Sequence, residues 1–446
     1  MIFAEHAAIL AIAIPLFAAF VLPLVNRLGS RARNFVAIAA LAVMELFVIV
    51  LALDVFAGNI HVYTLGATLP SLVSTVGFPV RILLEVDAMS AFMALASATV
   101  ALLAGIYSLK LVEKHKGNEK YFSLLLLMAG AMIGMVFTGD LFSMFVFLEL
   151  LSIASAALIA FYMMRGESFE AGFKYLVISS LAALMVLLAA GLLYGQYNFL
   201  NIAALASVMQ FGFIDKVAFV LLVAAFAMKC GAVPLHMWVS DSYGEAPAAV
   251  SAILVVASQA SLYALFRVCF TLFAGMPVLE IIAWAIIALA LLSMFVGVTM
   301  AIMQKDIKRM MAYHAVSQTG YMLLGVGVGL AVLGNAEALA LYGIKAIEGS
   351  LFHVINHALY KGLLFLTAGA IIYRVGTKDL NKMGGLAHKM PLTTVFFIIG
   401  ALAIAGLPPF NGFASKLLIY ESVFLFSPIL SVIAMVVSIL TLASFV

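Results

Sequence analysis

Seven ionisable side chains of this chain stand in apolar surroundings: Glu149, Lys229, His236, His353, His357, Lys361 and Lys416. A charge at the centre of a membrane-spanning helix costs about 2.5–3.5 kcal/mol on insertion scales, so such residues turn toward the protein interior and mark a polar path. Lys229 closes the apolar run "LLVAAFAMK", and Gly231 and Pro234 follow within five residues. Glu149 sits in "LFSMFVFLELLSIAS". It has two readings, a packing carboxylate bonded to a hydroxyl such as that of Ser152, or the partner of a cation on another helix, with Lys229 the best placed. Desolvation disfavours an ammonium and a carboxylate alongside restores it, so a lysine whose partner can approach or retreat is a switchable proton holder. That is the role expected of Lys229. The Gly/Pro break beside it leaves carbonyls without helical partners for water to solvate. His236 is placed to pass a proton toward the end of the span, or is an interfacial histidine near Trp238.

The segment "IKAIEGSLFHVINHALYKGLLF" repeats Lys345, Gly349, His353, His357 and Lys361 every four residues, which predicts one stripe on a helix. Glu348 can pair with Lys345 at a spacing of three. Groups that both accept and donate protons within reach of one another make a proton wire. A His-x-x-x-His pair also binds zinc or haem, but no carboxylate or thiolate completes a shell here, so no metal or other cofactor is expected. Lys416 follows "GLPPFNGF", which cannot continue a helix; it either faces the path or snorkels to the interface. Glu421 lies toward the other side of that helix. His314, in "MMAYHAVSQTGY", reads as structural, and the glycines of "GVGVGL" read as helix packing because no strand precedes them.

The elements that position these residues follow from composition. The 446 residues are 66% hydrophobic and 10% charged, with a mean hydropathy of +1.23. Water-soluble chains carry roughly 25% charged residues, so the fold class is an all-α polytopic membrane protein. Period-two alternation, the mark of a membrane barrel, is absent from the apolar runs. A net charge of +3 spread over loops gives no sign of nucleic-acid binding, and Cys230 and Cys269 form no CxxC pair. The first apolar run lacks a basic leader and a cleavage site, so it reads as a retained span. Spans are expected near 4–25, 35–57, 87–110, 121–138, 141–163, 170–194, 216–239, 246–272, 277–303, 309–333, 338–373, 391–424 and 427–446. Those at 338–373 and 391–424 are too long for one straight crossing. The stretch 58–86, rich in Gly, Pro and β-branched residues, predicts a small extramembrane hairpin.

Five loops concentrate base: Arg27, Arg31 and Arg33; Lys110, Lys114, Lys116 and Lys120; Arg165 and Lys174; Lys305, Lys308 and Arg309; Arg374, Lys378, Lys382 and Lys389. These are sixteen of the 23 Lys and Arg, all in odd-numbered loops, which places those loops in the cytoplasm and the N-terminus outside. The seventh loop, with Asp241 and Glu245 and no base, is the exception. The Gly/Pro-broken span holding Lys229 is echoed five spans later by "AIAGLPPFNGFASKLLIYE". Interrupted segments at matching positions are the sign of inverted repeats in transporters. The expected organisation is a single membrane domain: helices and hairpin over 1–115, a first five-helix repeat over 116–275, and a second, inverted repeat over 276–446.

The stretches "GDLFSMFVFLELLSIAS", "AFAMKCGAVPLHMWVSDSYGEAPAAVSAIL", "QKDIKRMMAYHAVSQTGYM", "LFHVINHALYKGLLFLTAGAI" and "LNKMGGLAHKMPLTTVFFIIGALAIAGLPPFNGFASK" run over about residues 85–425. Together they resemble the antiporter-like membrane subunits shared by respiratory complex I, Mrp-type cation/proton antiporters and membrane-bound group 4 hydrogenases, with the last stretch closest to the Mrp D-type and hydrogenase-linked members. The resemblance implies two inverted five-helix repeats forming linked half-channels, and 13–14 helices in all. It aligns Glu149 with the carboxylate of the fifth helix and Lys229 with its lysine partner on the broken seventh. It aligns His353 and His357 with histidines of the eleventh helix, and Lys416 with the ionisable residue of the broken twelfth. Two positions depart from the pattern: Gln259 stands where many members have a lysine before a tyrosine, and Gln318 where some have a histidine. Neither glutamine titrates. The implied function is proton translocation, with Na+ exchange as an open alternative, inside a hetero-oligomeric complex that includes similar subunits in the cell membrane. Two other readings stand beside it: a subunit of a redox-driven complex with a quinone-associated role, and a scaffold whose buried charges only hold neighbours.

Overall fold

The computed structural model describes residues 6–65, 81–113, 116–162 and 165–445. The chain is helical nearly throughout, and it divides into two compact units.

The first unit comprises residues 1–164, 172–229 and 256–273. It opens with α1 (Ala7–Val25) and α2 (Ser30–Phe56). Strands β1 (His61–Thr64) and β2 (Leu83–Val86) then pair antiparallel, with His61 opposite Val86 and Thr64 opposite Leu83. The expected hairpin is thus present at its two ends, while residues 66–80 lie outside the described residues. Helix α3 (Ala88–Leu111) begins at a reciprocal capping box between Asp87 and Ser90. After α4 (Asn118–Phe137), Asp140 caps α5 (Leu141–Ile159) through Ser143 N at 2.7 Å, and its second oxygen accepts from Leu83 N at 3.1 Å. One carboxylate therefore fixes both the start of the Glu149 helix and the hairpin. The unit also holds most of α6 (Gly166–Tyr197), α7 (Ile202–Val208), α8 (Phe213–Cys230) as far as Lys229, and the second half of α10 (Ala248–Arg267).

The second unit comprises 165–171, 230–255 and 274–446. Its elements are α9 (Met237–Glu245), α11 (Leu279–Ile302), α12 (Ile307–Ala331), α13 (Ile344–Val375), α14 (Leu386–Lys389), α15 (Pro391–Ala405), α16 (Asn411–Phe426) and α17 (Pro428–Ala443). Helices α11 and α12 approach closely through small residues: a Cβ at Gly327 would meet Ala283 O at 3.1 Å.

Among the described residues, nine helices are long and apolar enough to cross a membrane. The thirteen expected spans exceed that number for physical reasons. Helix α8 carries Asp215, Lys216 and Lys229 in 18 residues. Helix α12 is buried on all sides from His314 to Leu330, so it has no lipid-facing surface to make apolar and holds Ser317, Gln318 and Thr319 instead. The expected span 391–424 is broken into α15 and α16. The span 338–373 keeps its length, entering through a π-turn at Leu339–Gly343 and continuing as the 32-residue α13.

Candidate functional site

The site residues fall into one group in each unit. In the first unit, Lys229 ends α8 with its ammonium buried. It donates to Ser152 Oγ at 2.9 Å and to the Tyr175 hydroxyl at 3.4 Å, and it stands 5.0 Å from the centre of the Tyr175 ring. Glu149, three residues before Ser152 on α5, accepts from Ser180 Oγ at 3.4 Å, and its Oε2 is buried with no partner among the described residues. The expected ion pair between Glu149 and Lys229 is therefore not formed: the lysine takes the hydroxyl one turn along the same helix. Gln259 is buried in this unit.

In the second unit, His353 is fully buried on α13. Its Nδ1 lies 2.9 Å from Ser415 Oγ and its Nε2 3.0 Å from Gln318 Oε1, which also accepts from the Tyr360 hydroxyl at 3.2 Å. An amide oxygen only accepts, so the contact assigns the His353 proton to Nε2 and the Ser415 hydroxyl donates to Nδ1. His357 stacks on His353 at 6.5 Å between ring centres. Lys361 is fully buried and donates to Met311 O of α12. Lys416 is buried too, which removes the snorkelling alternative. Its ammonium donates to Ile404 O at 2.8 Å and Ser438 Oγ at 3.0 Å, 4.8 Å from the Tyr321 ring centre. His236 stands in the break before α9, its ring 6.5 Å from that of Tyr313.

The α13 stripe is shorter than expected. Gly349, His353, His357 and Lys361 are buried, but Lys345 and Glu348 are exposed and form no ion pair with each other. Residues four apart drift by about 40° per step on a 3.6-residue helix, so four steps from Lys361 turn Lys345 out of the buried sector.

Several interior charges escape the sequence reading. Glu45, within α2, accepts from Thr99 Oγ1 at 2.7 Å and keeps a buried, unpartnered Oε2. Arg267 pairs with Asp87 and donates to the Tyr263 hydroxyl at 2.8 Å. Glu45 was detectable as a lone carboxylate in "AVMELFVIV"; Asp87 and Arg267 sit at helix ends, where charge carries no signal. The acidic seventh loop has an explanation within the second unit. Glu245 meets Lys378 at 2.7 Å and Arg309 at 3.6 Å, Asp241 meets Arg309 at 3.2 Å, and Asp306 meets Lys378 at 3.7 Å. Loop-seven acids thus engage the bases of loops nine and eleven. Lys308 donates to Ala246 O beside them. Nearby, the backbone N–H and side-chain amide of Asn381 hold the Asp379 carboxyl below the usual carboxylate range.

Among the described residues, no three His, Cys, Asp or Glu side chains gather as a metal shell requires. What the arrangement offers is a set of buried ammonium, imidazole and hydroxyl groups in mutual hydrogen bonding.

Comparison with known proteins identifies the family. Residues 138–441 match the family described as NADH:quinone oxidoreductase/Mrp antiporter, transmembrane. Subunit N of the NADH-quinone oxidoreductase of Desulforudis audaxviator is 37% identical over 423 residues, spanning 92% of this chain and 79% of the relative. The D-type Na(+)/H(+) antiporter subunit of Alkalihalophilus pseudofirmus is 32% identical over 409 residues, spanning 90% and 78%. Among solved structures, a chain of the Mrp complex from Dietzia superposes with a TM-score of 0.86 at 28% identity, covering all of this chain and 79% of that one.

Proposed function

We propose a function from one premise: the chain belongs to the NADH:quinone oxidoreductase/Mrp antiporter membrane-subunit family. It translocates protons as one subunit of a multisubunit membrane complex. The observation that carries this reading is the state of Lys229, Lys361 and Lys416. Each ammonium is buried on hydroxyl or carbonyl oxygens, with no carboxylate within ion-pair distance among the described residues. A buried cation without a counter-ion is expensive, and packing alone gives no reason to keep three. Groups that shed and regain a proton do.

In this reading Glu149 and Lys229 form the proton-holding pair of one half-channel, and His353, His357, Lys361 and Lys416 serve the other, with His236 as a relay at the first break. The two interrupted helices are matching members of two inverted five-helix repeats. The N-terminus faces outward across the cell membrane, supported by the bases of the odd-numbered loops and by the engagement of Asp241 and Glu245 with Arg309 and Lys378. The partners are other membrane subunits, similar antiporter-like ones among them.

Proton movement into sealed vesicles bearing the intact complex with Lys229→Ala tests this, with subunit composition checked in parallel. Loss of transport with assembly retained supports it; unchanged transport sinks it and leaves the scaffold reading. The likeness to both an oxidoreductase and an antiporter leaves two energy sources. Co-purifying iron–sulfur proteins indicate a redox-driven complex, and small membrane subunits alone indicate a cation/proton antiporter.

A further inference from the structure

We propose that the groove between α1 and α2 is a binding site for an anionic phospholipid, with the hydrocarbon tail in the groove and the phosphate on Arg27 and Arg31. The site stands whether or not the chain conducts protons. The groove encloses about 540 Å³ and runs from Ala13 to Val21 on α1 and from Phe35 to Val43 on α2. Every residue lining it is apolar. Ala18 and Ala40 are buried within it, while Phe17 and Phe35 are 71% and 75% exposed. Lipid tails are as apolar as the side chains, so no hydrophobic force closes such a gap, and its occupant is held by van der Waals contact.

The dimensions select a chain over a helix. The groove is about 12 Å long at 1.5 Å of rise per residue. Its volume over that length gives a cross-section of about 45 Å², roughly half that of a helix 10–12 Å across. A helix of a neighbouring subunit can lie over the groove but not in it, whereas a hydrocarbon tail enters.

The turn joining the two helices sets the charge of the occupant. Of its three arginines, Arg33 is buried and occupied by the turn itself, donating to Asn26 Oδ1 at 3.1 Å and to Asn34 Oδ1 at 2.8 and 3.0 Å. Arg27 and Arg31 are exposed, with no carboxylate within ion-pair distance among the described residues. Arg31 lies one turn before Phe35, on the groove's side of α2 and about 6 Å beyond the groove's end. Arg27 is flanked by Leu24 and Leu28, 60% and 81% exposed. Leucines exposed among arginines suit the boundary between tails and headgroups, where the side chain meets hydrocarbon and the guanidinium meets phosphate. Gly29, the N-cap of α2, has no side chain to close the helix start, so the positive end of that helix adds to the two guanidinium groups. A zwitterionic lipid brings its own ammonium to the phosphate; two unpaired arginines favour a lipid of net negative charge.

The test places the intact complex in bilayers containing phosphatidylglycerol or phosphatidylcholine with a photoreactive diazirine in the tail, and maps adducts to residues 13–21 and 35–43. We expect phosphatidylglycerol to label these segments about tenfold more than phosphatidylcholine, and Arg27→Gln combined with Arg31→Gln to bring the two lipids level; one base beside an anionic headgroup is worth about fivefold in affinity. Ala39→Phe, which fills the groove, is expected to lower labelling by both lipids about threefold or more. Equal labelling by the two lipids in the unsubstituted complex overturns the proposal, because the lipid is then ordinary annulus. No labelling by either overturns it too, because a neighbouring subunit then covers the groove. A preference that survives the arginine changes removes Arg27 and Arg31 from the site, and labelling unchanged by Ala39→Phe removes the tail from the groove. Should the double arginine variant not assemble, Arg31→Gln alone decides: a preference lowered about threefold or more supports the site, and an unchanged one overturns it.

Discussion

The two interrupted helices break in the same way and hold their lysines differently. Each break opens on a glycine in the left-handed region, Gly231 at φ +79° and Gly406 at φ +78°. Each nearby ammonium lies over a tyrosine ring and bonds a serine hydroxyl. Lys229, however, precedes its break and reaches away from it to α5, where Glu149 stands one turn from the serine it holds. Lys416 follows its break and turns back onto Ile404 O, a carbonyl at the helix end that the interruption leaves without a helical partner. One lysine bonds a serine one helical turn from a carboxylate, and the other is tied to its own backbone. In the proposed reading the first changes partners and the second holds a proton at a fixed point.

The widest separation of this comparison from a mere packing role comes from removing each ammonium. Lys229→Ala and Lys416→Ala are expected to lower proton transport about a hundredfold in sealed vesicles while the complex remains assembled. Activity retained in either one breaks the comparison at that break.

The glycines come next. Gly406→Ala forces a non-glycine residue into positive φ and brings its Cβ within 2.9 Å of Lys416 Cδ. Gly231→Ala does the same against Val239 Cγ2 at 2.7 Å. Each is expected to cost about 1–2 kcal/mol in thermal unfolding of the purified complex. Only Gly406→Ala touches its lysine, so it alone is expected to slow transport beyond the loss of stability; equal transport in the two variants removes the distinction.

Glu149→Gln probes the mobile partner. The amide keeps its bond with Ser180 and loses the charge that, in the proposed reading, competes with Ser152 for Lys229. Transport is expected to fall about tenfold, the size of a single acid–base contribution at its lower end, with expression and assembly unchanged. An unchanged rate means that Lys229 works from the hydroxyl alone, and the two lysines are then alike.

Much of this was legible in the residues. Continuous apolar runs give spanning helices, and "KCGAVP" and "GLPPFNG" break where Gly and Pro deny the chain its helical continuation. The buried lysines and histidines stood out because charge in an apolar run has no other explanation. What stayed hidden depends on geometry that spacing does not carry. Ser152, Ser415 and Ser438 bond the key groups, yet serine is frequent in every span and marks nothing. The α13 stripe looked one turn too long because a four-residue repeat spirals slowly around a 3.6-residue helix. Helix α12 looked like an ordinary span, and only its burial on all sides from His314 to Leu330 accounts for His314, Gln318 and Thr319 along one element.

The finest distinction lies in those serines. Ser152→Ala removes the hydroxyl under Lys229, and Ser438→Ala the one under Lys416. A single hydrogen bond to a charged group contributes about 1.5–3 kcal/mol, part of which a neighbouring acceptor or water replaces. Lys416 keeps Ile404 O after Ser438 is lost, so its position holds and transport is expected to fall about twofold. Among the described residues Lys229 keeps the Tyr175 hydroxyl at 3.4 Å, and Glu149 is the next strong acceptor along α5. Ser152→Ala therefore drives Lys229 toward Glu149, favouring the charged pair and slowing proton release about fivefold. Combining Ser152→Ala with Glu149→Gln separates the two causes. If the charged pair is what slows Ser152→Ala, the double variant is no slower than Glu149→Gln alone; if the hydroxyl acts by itself, the two losses multiply.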